Sequence, residues 1–183
     1  MKNVAIVILN WNGVDMMRRF LSSVVQNSPE ADVVVVDNGS TGYNKLLIAN
    51  IVAKYERKNG LVDIRYLHQP MEFNFSRMCN LGASASRGNL LLFLNDDITA
   101  KSPGWLREMA MMARRPHVGA VGAKLRYPPE RKSDGFPAHA IQHAGVTNVR
   151  LGPMHKLQYL TDDAVHYFGF NRGIHDLLAV TGA

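Results

Sequence analysis

The sequence predicts an α/β domain: a mostly parallel central sheet with helices on both faces. Three observations predict it. Short aliphatic runs recur at Val4–Leu9, Val33–Val36, Leu61–Leu67 and Leu90–Leu94. Segments with apolar residues at helical spacing separate them. Strands alternating with helices of this length favour βαβ units and parallel pairing. Leu90–Leu94 is also apolar at every position, the pattern of a strand buried on both faces, and it runs straight into Asn95-Asp96-Asp97.

The elements follow in order. Val4-Ala5-Ile6-Val7-Ile8-Leu9 reads as a first buried strand. Val14–Val25 places Met17, Phe20, Leu21 and Val24 on one helical face. After the second strand, Tyr43–Lys58 repeats the pattern with Leu46, Leu47, Ile51 and Tyr55, and Gly60 suits the position just past its end. Ser76–Arg87 reads as a third helix stopped by Gly88. Ser102-Pro103-Gly104-Trp105 has the signature of a helix start, a capping serine before a first-turn proline. From Tyr127 to His139 the chain is polar and broken by Pro128-Pro129, Gly135 and Pro137, as a long loop would be. The expected organisation is one domain over 1–183, with its alternating strands and helices in a first half over 1–126 and a more broken second half over 127–183.

Composition narrows the classes. With 183 residues, 46% hydrophobic and 20% charged, the chain is long enough for one well-filled core. The net charge of +6 favours anionic partners, although Arg18-Arg19, Arg114-Arg115 and Arg131-Lys132 are scattered as solvated surface charge is. The single cysteine, Cys79, excludes an internal disulfide framework and, among Met78, Leu81 and Ala83, reads as a buried thiol. The first apolar run is too short to span a membrane and lacks a cleavage site, so a cytoplasmic protein is expected. His139, His143, His155, His166 and His175 crowd the last third; only His139 and His143 have helical i, i+4 spacing, in a stretch too broken for a helix. Surface or substrate-facing histidines are expected rather than a metal cluster.

The chemistry is expected at the carboxyl ends of the strands, where open α/β sheets bind ligands. The first strand ends in Asn10-Trp11-Asn12-Gly13 and the second in Asp37-Asn38-Gly39-Ser40-Thr41-Gly42. Such short polar residues with glycine make tight loops that offer backbone N–H groups and side-chain acceptors. Asp37 could accept hydrogen bonds from a base or ribose; the plain alternative is that Asp37 and Ser40 merely cap the next helix. The adjacent carboxylates Asp96 and Asp97 are suited to holding a hard divalent cation against a phosphate.

Several blocks, in order, carry a resemblance. Val35-Val36-Asp37-Asn38-Gly39-Ser40-Thr41, Asn80-Leu81-Gly82-Ala83 with Ser86-Arg87-Gly88, and Leu92-Phe93-Leu94-Asn95-Asp96-Asp97 resemble the family 2 glycosyltransferases of the GT-A fold. Phe73-Asn74-Phe75-Ser76, Trp105-Leu106-Arg107-Glu108-Met109, Val118–Leu125 and Ile141–Val146 resemble a bacterial branch associated with rhamnosyl transfer and surface-polysaccharide assembly. The resemblance implies a Rossmann-like sandwich with a donor nucleotide over Asn10, Asn12, Asp37, Asn38 and Ser40, with Asp37 at the uracil or thymine base or its ribose. It adds Asn80 and Asp96 to the donor site and puts Asp97 at the position that ligates Mn²⁺ or Mg²⁺. Asn95 replaces the first acid of the D-x-D-type motif, and Gly42 stands where an Asp is frequent.

The implied reaction is metal-dependent, inverting transfer from a UDP- or dTDP-linked sugar to a glycan or lipid-linked acceptor, with no nucleic acid involved. Peripheral membrane association and homo-oligomers are compatible with it. Family members continue past a segment like Val180-Thr181-Gly182-Ala183 to an acidic general base, and Asp162, Asp163 and Asp176 do not match that base. The expectation is therefore a chain truncated at its C-terminus, with its base beyond Ala183, that binds donor nucleotide but transfers sugar poorly. The missing cover over apolar surface would favour self-association. A dinucleotide-binding enzyme is disfavoured because no G-x-G-x-x-G follows the first strand, and a P-loop enzyme because no G-x-x-x-x-G-K-[ST] occurs. A nucleotidyltransferase and a non-catalytic nucleotide-binding module remain alternatives.

Overall fold

In the computed structural model, residues 4–59, 63–130, 135–149, 152–164 and 173–181 are described. Gly60, the first two residues of the Leu61–Leu67 run, His166 and Gly182-Ala183 lie outside them. The chain forms two compact units, Met1–Arg114 and Arg115–Gly182.

The first unit is a doubly wound parallel sheet. Strands β1 (Val4–Asn10), β2 (Asp32–Asp37), β3 (Asp63–His68) and β4 (Leu90–Asn95) lie in the order β3-β2-β1-β4, all neighbours parallel. Helices α1 (Val14–Gln26), α2 (Gly42–Asn59), α3 (Phe75–Ala85) and α4 (Trp105–Ala113) connect or follow them. Strand parity sorts the core. Ile6, Ile8, Val33, Val35 and Ile64 pack with α1, α2 and α4, whereas Val7, Val34 and Val36 pack under Met78 of α3. The winding runs outward from β1 to β3 and then returns to β4 on the other side of β1. The direction of the crossovers therefore reverses between β1 and β4, and right-handed crossovers put α3 on the opposite face from α1 and α2.

Four sequence expectations need correction. Leu90–Leu94 is not buried on both faces: only Leu94 is buried, and Leu91 is 45% exposed. The reason is position. β4 is an edge of the sheet and α3 packs mainly on β1 and β2; Phe93 still packs against the cluster of Val7 and Met78, while Leu91 on the same face is left open. In α2 Leu47, Ile51 and Tyr55 pack on the core as expected, joined by Ile48 and Val52, while Leu46 is exposed. Helix α3 is capped by Asn74, whose side chain accepts from the Arg77 N–H at 2.9 Å, and ends at Ala85. Gly88 is thus not its stop; a Cβ there would lie 2.4 Å from the Ala5 nitrogen, so the glycine permits close approach to β1. Finally, α4 begins at Trp105 after Gly104 at φ 87°, with no side-chain cap from Ser102. A left-handed residue before the helix suits glycine.

The second unit holds two short antiparallel ladders, β5 (Leu125–Arg126) with β6 (Ile141–His143) and β7 (Val146–Val149) with β8 (Gly152–His155). His139 is in a left-handed turn at φ 60° and His143 is in β6, so no helix relates them. His143 is buried rather than surface-facing, which overturns that expectation for this residue. Its Nδ1 lies 2.8 Å from Nδ1 of His155, and its Nε2 accepts the Thr181 N–H at 3.2 Å. Burial, followed by the His155 imidazole, pushes the His143 pKa down. The aromatic rings of Tyr127, Phe136 and Tyr159 stack nearby in sequence, with Phe136 and Tyr159 4.7 Å apart.

Candidate functional site

The carboxyl ends of β1 and β4 meet at the point where the winding reverses, and a side-chain bond spans that point. Asn10, the last residue of β1, donates from Nδ2 to Asp96 Oδ2 at 2.6 Å, just beyond β4. Gly13 closes this corner. A Cβ there would lie 2.5 Å from Asp96 Oδ2 and 2.6 Å from Asn10 Nδ2, so only glycine lets α1 start here without displacing the pair. Burial pushes the Asp96 carboxyl above its ordinary range; the Asn10 amide opposes this, and the Asp97 charge adds to it. Asp97 differs. Its carboxylate is exposed and has no protein partner among the described residues.

The loops after β1 and β2 are stitched together. Asn12 takes a left-handed conformation, φ 52°, which asparagine tolerates. Its backbone N–H donates to Ser40 Oγ at 2.7 Å, and its Oδ1 accepts from the Thr41 N–H and Asn44 Nδ2, both at 3.2 Å. The Asn38 N–H donates to the Asn10 carbonyl at 2.9 Å. Asn38 Nδ2 donates to the Met71 carbonyl at 3.2 Å. Asp37 is fully buried: Oδ1 accepts the Ser40 N–H at 2.7 Å and Oδ2 accepts the Tyr66 hydroxyl. Both carboxylate oxygens therefore hold protein groups; Ser40 lies before α2 and its hydroxyl accepts from Asn12, so Asp37 closes the turn and neither residue is shown capping the helix.

The structure thus joins Asn10 with Asp96, and Asn12 with Asp37, Asn38 and Ser40, at one sheet edge. Asn80 is outside this network. It lies on the exposed side of α3 with no hydrogen bond to the others. Beside the stitched loops is a cleft of about 370 Å³ lined by Trp11, Asn38, Gly39, Pro70, Met71 and Phe73. Trp11 and Phe73 are 63% and 67% exposed, unusually open for large aromatic side chains. Gly39, at φ 84°, lies against Pro70, where a Cβ would come within 2.7 Å of the proline Cα. Sequence reasoning missed Trp11, Phe73 and Tyr66. An aromatic residue inside a polar strand-end loop was the available signal for Trp11; nothing local marked Tyr66, which reads as an ordinary strand residue.

Among the described residues no three His, Cys, Asp or Glu side chains gather as a metal cage. An unpartnered carboxylate with a second one adjacent is still a donor set that suits Mg²⁺ or Mn²⁺, which complete their shells with water and substrate phosphate oxygens. Asp162 is engaged elsewhere, in its own unit, accepting from Lys124 at 2.9 Å and from Arg126.

A doubly wound sheet with an acidic pair at its switch point and an aromatic cleft beside it defines an α/β domain of the GT-A glycosyltransferase type. The structure aligns with that of the mannosyltransferase PcManGT from Pyrobaculum calidifontis, in complex with GDP-Man and Mn²⁺, at a TM-score of 0.59 and 16% identity. The match covers 72% of this chain and 37% of that one. The sequence model of Glycosyl transferase family 2 matches residues 5–178, and the chain belongs to that family. It is 30% identical over 184 aligned positions to the O-antigen biosynthesis protein RfbC of Myxococcus xanthus, covering 98% of this chain and 13% of RfbC. It is 34% identical over 145 residues to the uncharacterized protein y4gI of Sinorhizobium fredii, covering 78% of this chain and 14% of y4gI. The chain therefore spans about one seventh of the length of these relatives. No helix among the described residues is long and apolar enough to cross a membrane.

Proposed function

We propose that the first unit binds the nucleotide of a nucleotide-diphospho-sugar and that the chain serves inverting transfer of that sugar to a glycan or lipid-linked acceptor in bacterial surface-polysaccharide assembly. The observation that carries this reading is the coincidence, at one sheet edge, of the aromatic cleft with the acidic pair. The base would enter the cleft between Trp11 and Phe73, whose open faces suit stacking on a planar ring. Asn10 and Gly13 would hold Asp96 in place, and Asp97 would face the diphosphate. A Mn²⁺ or Mg²⁺ ion bound by Asp97, with Asp96 beside it, would supply the positive charge that a departing diphosphate needs. The O-antigen relative supports the polysaccharide assignment, and the GDP-Man and Mn²⁺ of the structural neighbour support a sugar nucleotide and a divalent ion. The free, buried Cys79 suits a reducing cytoplasm, where we place the reaction.

The test is thermal unfolding with UDP, dTDP, GDP, nucleoside triphosphates and NAD, with and without Mn²⁺. A diphosphate at a hundred times its dissociation constant should stabilise by about 2.7 kcal/mol, or a rise of about 5–10 °C in a chain of this size. The rise should be larger with Mn²⁺, and the part that depends on Mn²⁺ should disappear in Asp97→Ala. Stabilisation by triphosphates alone would favour a nucleotidyltransferase, and stabilisation by NAD alone a dehydrogenase.

A further inference from the structure

We infer that Tyr66 and His68, on the edge strand β3, are positioning residues that hold the β2–α2 turn, residues 37–41, in the shape that receives the nucleotide; the inference rests on the nucleotide reading above. Strand register puts them there. Val35 pairs with Tyr66 and Asp37 with His68, so both side chains share the sheet face of Asp37. The two tips then engage the turn at different atoms. The Tyr66 hydroxyl donates to Asp37 Oδ2, and His68 Nε2 lies 3.0 Å from the Ser40 carbonyl oxygen. Against a carbonyl only an N–H makes a bond, so His68 carries its proton on Nε2.

Other restraints on the turn come from the neighbouring loops and from the turn itself: the Asn12 N–H on Ser40 Oγ, the Thr41 N–H on Asn12 Oδ1, the Asn38 bonds to the Asn10 and Met71 carbonyls, and the Gln69 N–H on the Asp37 carbonyl at 2.8 Å. Tyr66 is different, because it is the side-chain partner of a carboxylate oxygen that has no access to water. Its hydroxyl remains a donor at any working pH, since burial, together with Asp37, pushes its pKa up. Without that hydroxyl the Asp37 carboxylate would keep the Ser40 N–H but lose a donor in a dry site. The turn would then rest on one side-chain contact to Asp37 in place of two, and its shape would loosen. His68 acts further along, on Ser40, whose hydroxyl is the point where the first and second loops join.

The experiment measures nucleotide affinity of the full chain by calorimetry with Mn²⁺ at pH 8.0, using whichever of UDP, dTDP and GDP the wild type binds best. Tyr66→Phe should bind about tenfold more weakly at pH 8.0, the equivalent of one buried hydrogen bond to a charged group. His68→Gln, which keeps a side-chain N–H donor, should stay within about threefold of wild type, and His68→Leu should lose about tenfold. A role confined to folding would lower stability in urea unfolding while leaving the affinity of the folded protein at its wild-type value, and would show no rescue by glutamine at His68. Should Tyr66→Phe fail to fold, the two His68 variants still decide. Wild-type affinity in both Tyr66→Phe and His68→Leu overturns the positioning role alone. A wild type that binds none of the three diphosphates overturns the nucleotide reading and this inference with it.

Discussion

Asn10→Asp is the sharpest perturbation of the candidate site. The substitution is isosteric, yet it sets a second carboxylate where an amide now donates to Asp96 Oδ2 at 2.6 Å. The new group would also face the Gly13 carbonyl, which the Asn10 amide approaches at 3.4 Å, so one of its oxygens meets two acceptors and no donor. If the carboxylates relax to about 4 Å apart, their repulsion at an effective dielectric of about 20 is about 4 kcal/mol, equivalent to about three pKa units. The pair would then keep one proton well above the ordinary carboxylate range. A native pKa raised above the unfolded value means stability that is present at low pH and lost as pH rises. The variant should therefore match wild type near pH 4 and lose about 1.4 kcal/mol per pH unit above it, levelling off near pH 7. Urea unfolding of wild type and variant from pH 4 to pH 8 measures this directly. The exchange Asn10→Asp with Asp96→Asn restores one amide and one carboxylate across the same gap, and should recover most of the loss. Equal pH profiles for wild type and Asn10→Asp, or no recovery in the exchange variant, would refute the Asn10–Asp96 contact and with it the geometry of the switch point.

Two further outcomes test other parts of each unit. Gly82→Ala should lower stability by about 1–2 kcal/mol in urea unfolding: its Cβ would lie 2.2 Å from Val7 Cγ1 and 3.1 Å from Val36 Cγ2, an overpacking cost that exceeds the gain in helix propensity. A more stable variant would show that α3 does not sit on β1 and β2 as described. In the second unit, NMR titration of His143 should give a midpoint below the ordinary imidazole value of about 6.5. Because the native value is depressed, the associated stability is present above pH 6.5 and is lost as pH falls through it. His155→Ala should move the midpoint part of the way back; a midpoint at or above 6.5 in wild type would contradict the buried pair.

The scaffold was legible in the sequence because hydrophobic periodicity is a local signal. All four strands of the sheet are where aliphatic runs placed them, and α1 to α3 lie within a few residues of the expected spans. What misled was context. A run of five apolar residues is consistent with a central strand, but Leu90–Leu94 became an edge because the chain turned back beside β1, and Leu91 stayed open. Gly88 looked like a helix stop because a glycine after a helix commonly is one; its neighbour across the sheet, Ala5, is more than eighty residues away in sequence and left no local trace. The same applies to His143 and His155, whose pairing needs two ladders to close.

The candidate site shows the limit most clearly, because residue type reveals what a side chain can bond but not what it has already bonded. Asn10, Asn12, Asp37, Asn38 and Ser40 were picked as short polar groups at strand ends, and they do converge there. The structure engages them with one another and with Tyr66 and Met71, so they form the frame of the edge. Asp97 alone among the chosen carboxylates presents an exposed, unpartnered group. Frame and free carboxylate should then fail in different ways. Damage to the frame shifts geometry and weakens any nucleotide whether or not an ion is present. Loss of Asp97 removes one charge from the diphosphate end and should erase the dependence on Mn²⁺ while leaving metal-free affinity almost unchanged. That division of labour follows from the hydrogen-bond partners, and it separates two groups of residues that the sequence alone presents as one.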